Sequence, residues 1–230
     1  KRQIIEIARR HPQRVREWAR EQTSRPDLAS YDFADDPRGY TKWDSAGREY
    51  AAANPIQLGL PITNAESLRT LLEQVLANFR RFVEQERGWS LLWDSKGNAK
   101  REEAVQLLFL GVARDYLRLY DVELDREVEL GRGPVDFKLS RGTSCRFLIE
   151  IKKDTNGQFW NGLDNQLPSY LESDNCPEGW FVAVRFSSAR TSDRRFQQLA
   201  QRTARAAAAA GTRLNHFTID ARRPPSASNI

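Results

Sequence analysis

Apolar positions recur every three to four residues in two long stretches of the chain. Between 65 and 86, Leu68, Leu71, Leu72, Val75, Leu76, Phe79 and Val83 follow the 3.6-residue period of a helix with one buried stripe. Thr63 and Glu66 have the spacing of a capping box at its start. A second helix is predicted over 99–119, after the turn-like DSKGN at 94–98. Beyond residue 120 the period changes to two. Segments 121–130, 133–140 and 145–152 alternate apolar and polar residues with turn signals between them, as antiparallel strands do. A Gly- and Asn-bearing loop at 154–162, a short helix at 163–172, a strand at 179–186, a helix at 192–210 and a strand at 213–219 complete the pattern. Gly211 supplies a left-handed stop for the last helix. The order α-β-β-β-α-β-α-β predicts an α/β fold, a mixed central sheet flanked by helices.

The first part of the chain reads differently. Residues 3–22 have helical periodicity interrupted by His11-Pro12, and 23–62 are rich in Pro, Gly and Asp. The latter stretch is too long for a simple connection, so it is expected to be an irregular packed segment or a short helix within a linker. The expected organisation is a helical or irregular extension over 1–98, a principal domain over 99–220 and a disordered tail at 221–230. The chain opens inside a helical pattern without Met, which is expected of a piece fused to upstream domains.

An apolar fraction of 40%, with 11 Phe, 6 Tyr and 6 Trp, is enough to fill a core and argues against disorder. No apolar run approaches the roughly 18 residues of a membrane span, so no membrane partner is expected. Cys145 and Cys176 cannot build a tetrahedral zinc site, and His11 and His216 lack finger-like spacing. A reduced, cytoplasmic protein is the simplest expectation. The net charge of +5 is unevenly spread: from Pro177 to Ile230 nine Arg oppose Glu178, Asp193 and Asp220, a net +6 that leaves −1 for residues 1–176. A basic final third suits a polyanionic partner. Arg190, Arg194, Gln198, Arg202 and Arg205 fall three or four apart and fit one helical stripe for contacts to a nucleic-acid backbone, although an ordinary amphipathic surface helix has the same pattern.

Strand parity singles out a candidate site. On PVDFKLS, Val135, Phe137 and Leu139 are expected on one face and Asp136 and Lys138 on the other. On RFLIEIKK, Phe147, Ile149 and Ile151 share one face, while Leu148, Glu150 and Lys152 share the opposite one. Two adjacent strands thus each bring a carboxylate to one side of the sheet, with a lysine about 7 Å beyond the second. Two carboxylates and a backbone carbonyl are hard oxygen donors suited to Mg²⁺, and a metal so held polarises a phosphodiester and activates water. The plainer reading of the same residues is the polar face of a half-exposed sheet.

The pieces GRGPVDFKL and FLIEIKK resemble motifs II and III of the PD-(D/E)XK, or restriction-endonuclease-like, nuclease superfamily. The resemblance covers roughly 99–220, in the element order of that fold. It implies that Asp136 and Glu150 ligate Mg²⁺ (Mn²⁺ as an alternative), that the Ile151 carbonyl completes the protein ligands, and that Lys152 is the catalytic lysine. Members often carry a Glu on the helix before the first strand, and of Glu102 and Glu103 the former is preferred because Gln106 lies one turn on along its face. Some branches place a Gln on the helix after the third strand, a role that Gln166 would fill with Tyr170 one turn later. Pro168 departs from that pattern and puts the reach of Gln166 in question. Lys153 is expected to be a solvated neighbour, Lys138 a surface lysine, and Phe159 and Trp160 core residues near the site.

The resulting expectation is a metal-dependent endonuclease acting on DNA. By analogy with the superfamily it would be the effector module of a larger bacterial protein of restriction or antiviral defence, and a homo-oligomer. Two rivals are an RNase on the same scaffold and a non-catalytic nucleic-acid-binding or oligomerisation module.

Overall fold

The computed structural model describes residues 40–56, 61–130, 133–142 and 145–224. The predicted helix over 3–22 and the tail from 225 onward lie outside the described residues. The elements are α1 (Tyr40–Ala53), α2 (Ala65–Glu84), a 3₁₀ turn (Gly88–Leu92), α3 (Glu102–Arg118), β1 (Glu123–Glu129), β2 (Pro134–Arg141) and β3 (Cys145–Lys153). A helical turn α4 (Phe159–Asn161) runs through a π-helical stretch, Gly162–Gln166, into α5 (Leu167–Ser173). Then come β4 (Glu178–Arg185), α6 (Arg190–Ala210) and β5 (Arg213–Asp220).

The five strands form an open sheet in the order β1-β2-β3-β4-β5. The first three pair antiparallel, and β3, β4 and β5 pair parallel. The expected α/β class with a mixed sheet and the element order are therefore present. Parallel strands buried on both faces read as near-continuous apolar runs, and β4, EGWFVAVR, is buried along nearly its whole length.

Each face of the sheet has its own core. On one, Leu68, Leu72, Val75 and Phe79 of α2 and Val105, Phe109 and Val112 of α3 join Phe137, Leu139, Phe147, Ile149 and Ile151. On the other, Phe159, Leu163, Leu167 and Leu171 and Leu199 of α6 cover Leu148, Phe181 and Ala183. The parity expected for β3 is found. On β2 it breaks: Val135 belongs to the second core, with Leu148, while Phe137 and Leu139 belong to the first. The face changes at Asp136. In the β1–β2 register Glu127 stands opposite that residue, between the pairs Arg126↔Phe137 and Val128↔Val135. Its φ of 53° is a left-handed conformation that non-glycine residues seldom adopt.

Within the segment before residue 98, α2 supplies part of the core under the sheet. Within 23–62 the chain forms α1 over 40–53. Its Gly47 lies against α3 so closely that a Cβ there would fall 2.3 Å from the Gly111 carbonyl carbon. The start of α2 lies one residue from the expected cap. Asn64 Oδ1 accepts the Ser67 N–H at 2.9 Å, and Ser67 Oγ accepts the Asn64 N–H at 3.2 Å, closing a box between those two residues instead of Thr63 and Glu66. At the far end, Ala221 is fully buried and its carbonyl accepts from Trp93 Nε1 at 2.8 Å, so the ordered fold extends past the expected boundary at 220.

Candidate functional site

The β2–β3 ladder runs from Arg141↔Cys145 to Phe137↔Ile149 and stops there. At the next position the strands part, and a side chain takes the place of the ladder: Asp136 Oδ2 accepts the Ile151 N–H at 2.7 Å. Asp136 Oδ1 accepts from Gln106 Nε2 of α3 at 2.8 Å. Gln106 is buried, and its own carbonyl oxygen accepts from Arg126 at 3.4 Å, which fixes the orientation of its amide. The N–H and C=O of one strand residue leave the same edge. The carbonyl of Ile151 therefore leaves β3 on the side of Asp136.

Glu150 and Lys152, two apart on β3, share the other face. Lys152 Nζ lies 2.6 Å from Glu150 Oε1 and 3.3 Å from Glu102 Oε1. Glu150 is 2% exposed, and its Oε2 is buried with no hydrogen-bond partner. Gly162, in the π-helical stretch, packs on the lysine stem: a Cβ there would meet Lys152 Cε at 3.0 Å and Cγ at 3.1 Å. Such stretches within helices often mark functional sites. Glu102, one turn before Gln106 on α3, accepts the Lys153 N–H at 2.8 Å and both of its oxygens accept from Asn156 Nδ2, at 3.1 and 3.0 Å.

The electrostatics follow from this enclosure. Burial pushes the Asp136 carboxyl up to about 6, and Glu102 adds to the rise, against the opposing pull of Lys152, the Ile151 N–H and Gln106. Burial also pushes Glu150 up to about 8, with Asp136 repelling it and Lys152 pulling down. Burial disfavours the Lys152 ammonium, but Glu150, Asp136 and Glu102 outweigh it and raise the lysine above its ordinary range. Three carboxylates thus surround one ammonium, and the site is short of positive charge.

The expectation that Lys153 is a solvated neighbour is not met. This lysine is buried, donates to the Lys100 carbonyl and lies 4.5 Å from the centre of the Phe186 ring, because the following β4–α6 connection closes over it. Burial lowers its pKa. Glu103 turns away from the site to Arg126, at 3.6 Å, so Glu102 is the one of the pair that reaches Lys152. Gln166 ends the π-helical stretch, within the helical segment expected there, and its buried Oε1 has no hydrogen-bond partner; Pro168 is accommodated at the start of α5. Lys138 pairs with Asp174 at 2.6 Å. Phe159 is fully buried.

Of the predicted basic stripe on α6, Arg190, Arg194 and Arg205 are exposed. Arg202 is not free: it pairs with Asp164 at 3.0 Å and lies 4.3 Å over the Trp160 ring. Asn156 had no signal in the sequence pattern. Gln106 was visible only as a neighbour of Glu102 along the helix.

A divalent cation fits what these residues offer. Asp136, Glu150 and the Ile151 carbonyl are hard oxygen donors, one Glu150 oxygen is unclaimed, and the carboxylates outnumber the ammonium beside them. Among the described residues no group of three or more His, Cys, Asp or Glu could hold a metal ion. Any such ion would therefore rest on two carboxylates, the carbonyl and water.

Fold and site together define an α/β protein with a five-stranded mixed sheet and a buried Asp-Glu-Lys cluster where two strands part. The chain belongs to the family described as domain of unknown function DUF8371, which matches residues 68–188. That span takes in α2 from Leu68 onward, and Glu102, Gln106, Asp136, Glu150, Lys152, Asn156 and Gln166. No curated protein and no solved structure matches the chain. Among the described residues no helix is long and apolar enough to cross a membrane.

Proposed function

We propose that the chain carries a restriction-endonuclease-like, PD-(D/E)XK core and hydrolyses phosphodiester bonds with Mg²⁺, its substrate DNA. The observation that carries this reading is the meeting of Asp136, Glu150, Lys152 and Glu102 at the point where β2 and β3 separate. Asp136, Glu150 and the Ile151 carbonyl would hold the cation. When bound there, Mg²⁺ supplies Lewis-acid polarisation of the phosphate and a lowered pKa for water.

The protein's own groups do the rest. Gln106 and the Ile151 N–H each hold one oxygen of Asp136, so the carboxylate cannot swing away. Lys152 stays protonated beside Glu150 and Glu102, and its ammonium orients the attacking water and offsets charge building on the phosphate. Gln166, with an unclaimed buried carbonyl oxygen, is a candidate acceptor for that water. The exposed Arg190 and Arg194 would meet the phosphate backbone without reading sequence.

The test is incubation of the purified chain with plasmid, single-stranded DNA and RNA in Mg²⁺, Mn²⁺ or EDTA. Cleavage of DNA with either metal, lost in EDTA and in Asp136→Ala and Lys152→Ala, is expected. Cleavage that survives EDTA, or unchanged activity of either variant, overturns the mechanism. Cleavage of RNA only would reassign the substrate.

A further inference from the structure

Glu102 is held by a residue from the loop that follows β3. Asn156, three positions after Lys153, directs its Nδ2 at both Glu102 oxygens, while its Oδ1 accepts the Gln158 N–H at 2.8 Å. Donor toward carboxylate and acceptor toward N–H together fix the amide orientation. The backbone of Asn156 is pinned in turn. Its N–H donates to the Lys153 carbonyl at 2.9 Å, and its carbonyl accepts from Arg195 Nη1 of α6 at 3.0 Å. Arg195 also donates to the Asp154 carbonyl and lies 5.0 Å over the Phe159 ring. The side chain is thus fixed before it meets Glu102, which then presents Oε1 to Lys152.

We propose that Asn156 is a positioning residue of the site: it locks the Glu102 carboxylate in the rotamer that holds the Lys152 ammonium in place, with Arg195 bracing the loop from α6. Without the two Nδ2 contacts, Glu102 keeps only the Lys153 N–H and Lys152 itself, and the lysine loses a fixed counter-charge on one side. The catalytic role of Lys152 rests on the nuclease reading above. The Asn156–Glu102 contact does not.

Asn156→Asp separates positioning from a merely structural role. It is isosteric and keeps the Oδ1 acceptor that closes the turn onto Gln158, but it turns a carboxylate toward Glu102. Asn156→Ala removes both contacts. We expect Asn156→Asp to lower kcat about 100-fold, the scale of a small misplacement of catalytic groups, with KM unchanged and a loss larger than that of Asn156→Ala. Asn156→Asp is also expected to lower Tm when Glu102 is present and to have no such cost in the Glu102→Gln background, since coupled residues are non-additive. A turn-holding role alone predicts the opposite order, with Asn156→Asp close to wild type. Wild-type kcat in Asn156→Asp, or an equal Tm cost in both backgrounds, overturns the proposal. If the wild type cleaves nothing, the nuclease reading fails, and the Tm cycle still decides whether Asn156 holds Glu102.

Discussion

Asp136 accepts the Ile151 N–H at 2.7 Å where the backbone ladder between their strands has ended. One side chain thereby closes the gap between two diverging strands and anchors a carboxylate beside Glu150 and Lys152. The contact joins fold and candidate chemistry at one atom pair, so substitutions of Asp136 separate the two. Asp136→Asn removes the charge and keeps an acceptor for Ile151, at some cost in Tm because its Nδ2 then faces the Gln106 Nε2 donor. It is expected to leave the fold intact and to lower metal-dependent cleavage by at least about 10²-fold, the typical cost of losing one preorganised electrostatic group. Circular dichroism and a cleavage assay check both halves. A variant that folds and cleaves like wild type would refute the assignment.

The two raised carboxylates set a pH dependence. Asp136 rises from 3.8 to about 6 and Glu150 from 4.5 to about 8, so between those limits the folded chain keeps protons that the unfolded chain has released. Stability contributed by these groups is therefore highest at low pH and falls as pH rises through the folded values. Without added metal, Glu150→Gln is expected to raise Tm at pH 8 relative to wild type and to flatten the fall between pH 5 and 8. Excess Mg²⁺ should stabilise the wild type more at pH 8 than at pH 5, because binding to carboxylates displaces protons. Calorimetry across that range with and without Mg²⁺ measures both. A Glu150→Gln curve parallel to wild type contradicts the assignment.

Much of this arrangement was legible in the chain. The alternation in PVDFKLS and FLIEIKK located β2 and β3, and the i, i+4 relation of Glu102 and Gln106 correctly put both on one face of α3. Other features were not legible, for identifiable reasons. Strict alternation placed Val135 with Phe137, and only the distortion at Glu127 and Asp136, a consequence of sheet pairing, moves it to the other core. Gly157, Asn161 and Gly162 read as loop residues, yet helical structure begins at Phe159, four residues before the expected helix at 163. The capping template sought Glu or Gln as the reciprocal partner, whereas Ser67 fills that place with its hydroxyl. Lys153 and Asn156 acquire their partners from Lys100 and Glu102, more than 50 residues away, and no local pattern encodes such contacts.

Gly162 offers a steric test of Lys152. Its missing side chain leaves room for the lysine stem, and an added Cβ would also lie 3.3 Å from Phe181 Cε2. Gly162→Ala is compatible with the helical backbone there, at φ −57° and ψ −44°, so its effect falls on the contacted side chains. The lysine stem must shift by a few tenths of an ångström, which disturbs the contacts of its ammonium with Glu150 and Glu102. We expect roughly a tenfold or greater loss of kcat with Tm within a few degrees of wild type. A large fall in Tm with normal kcat per folded molecule would show instead that the glycine serves packing only.

The contact between Arg69 and Glu178 concerns stability at a distance from the proposed chemistry. Glu178, at the start of β4, is 2% exposed and would be prohibitive to bury without partners. Arg69 of α2 grips both of its oxygens, Nε to Oε1 at 3.0 Å and Nη2 to Oε2 at 2.8 Å, while Trp180 Nε1 and Asn215 Nδ2 reach Oε1 at 3.1 and 2.8 Å. This one carboxylate thus ties a helix from before residue 98 to β4 and β5. Arg69→Met leaves the buried carboxylate with two neutral donors and the longer, largely exposed Arg213 contact at 3.9 Å, and is expected to cost about 3 kcal/mol, the lower end of the usual penalty for breaking a buried pair. Glu178→Gln added to that variant should recover a substantial part, because the remaining group is neutral. Denaturant titration of the single and double variants measures both, and cleavage per folded molecule should stay at the wild-type level. An Arg69→Met chain as stable as wild type would mean that α2 is held by its apolar face without help from this pair.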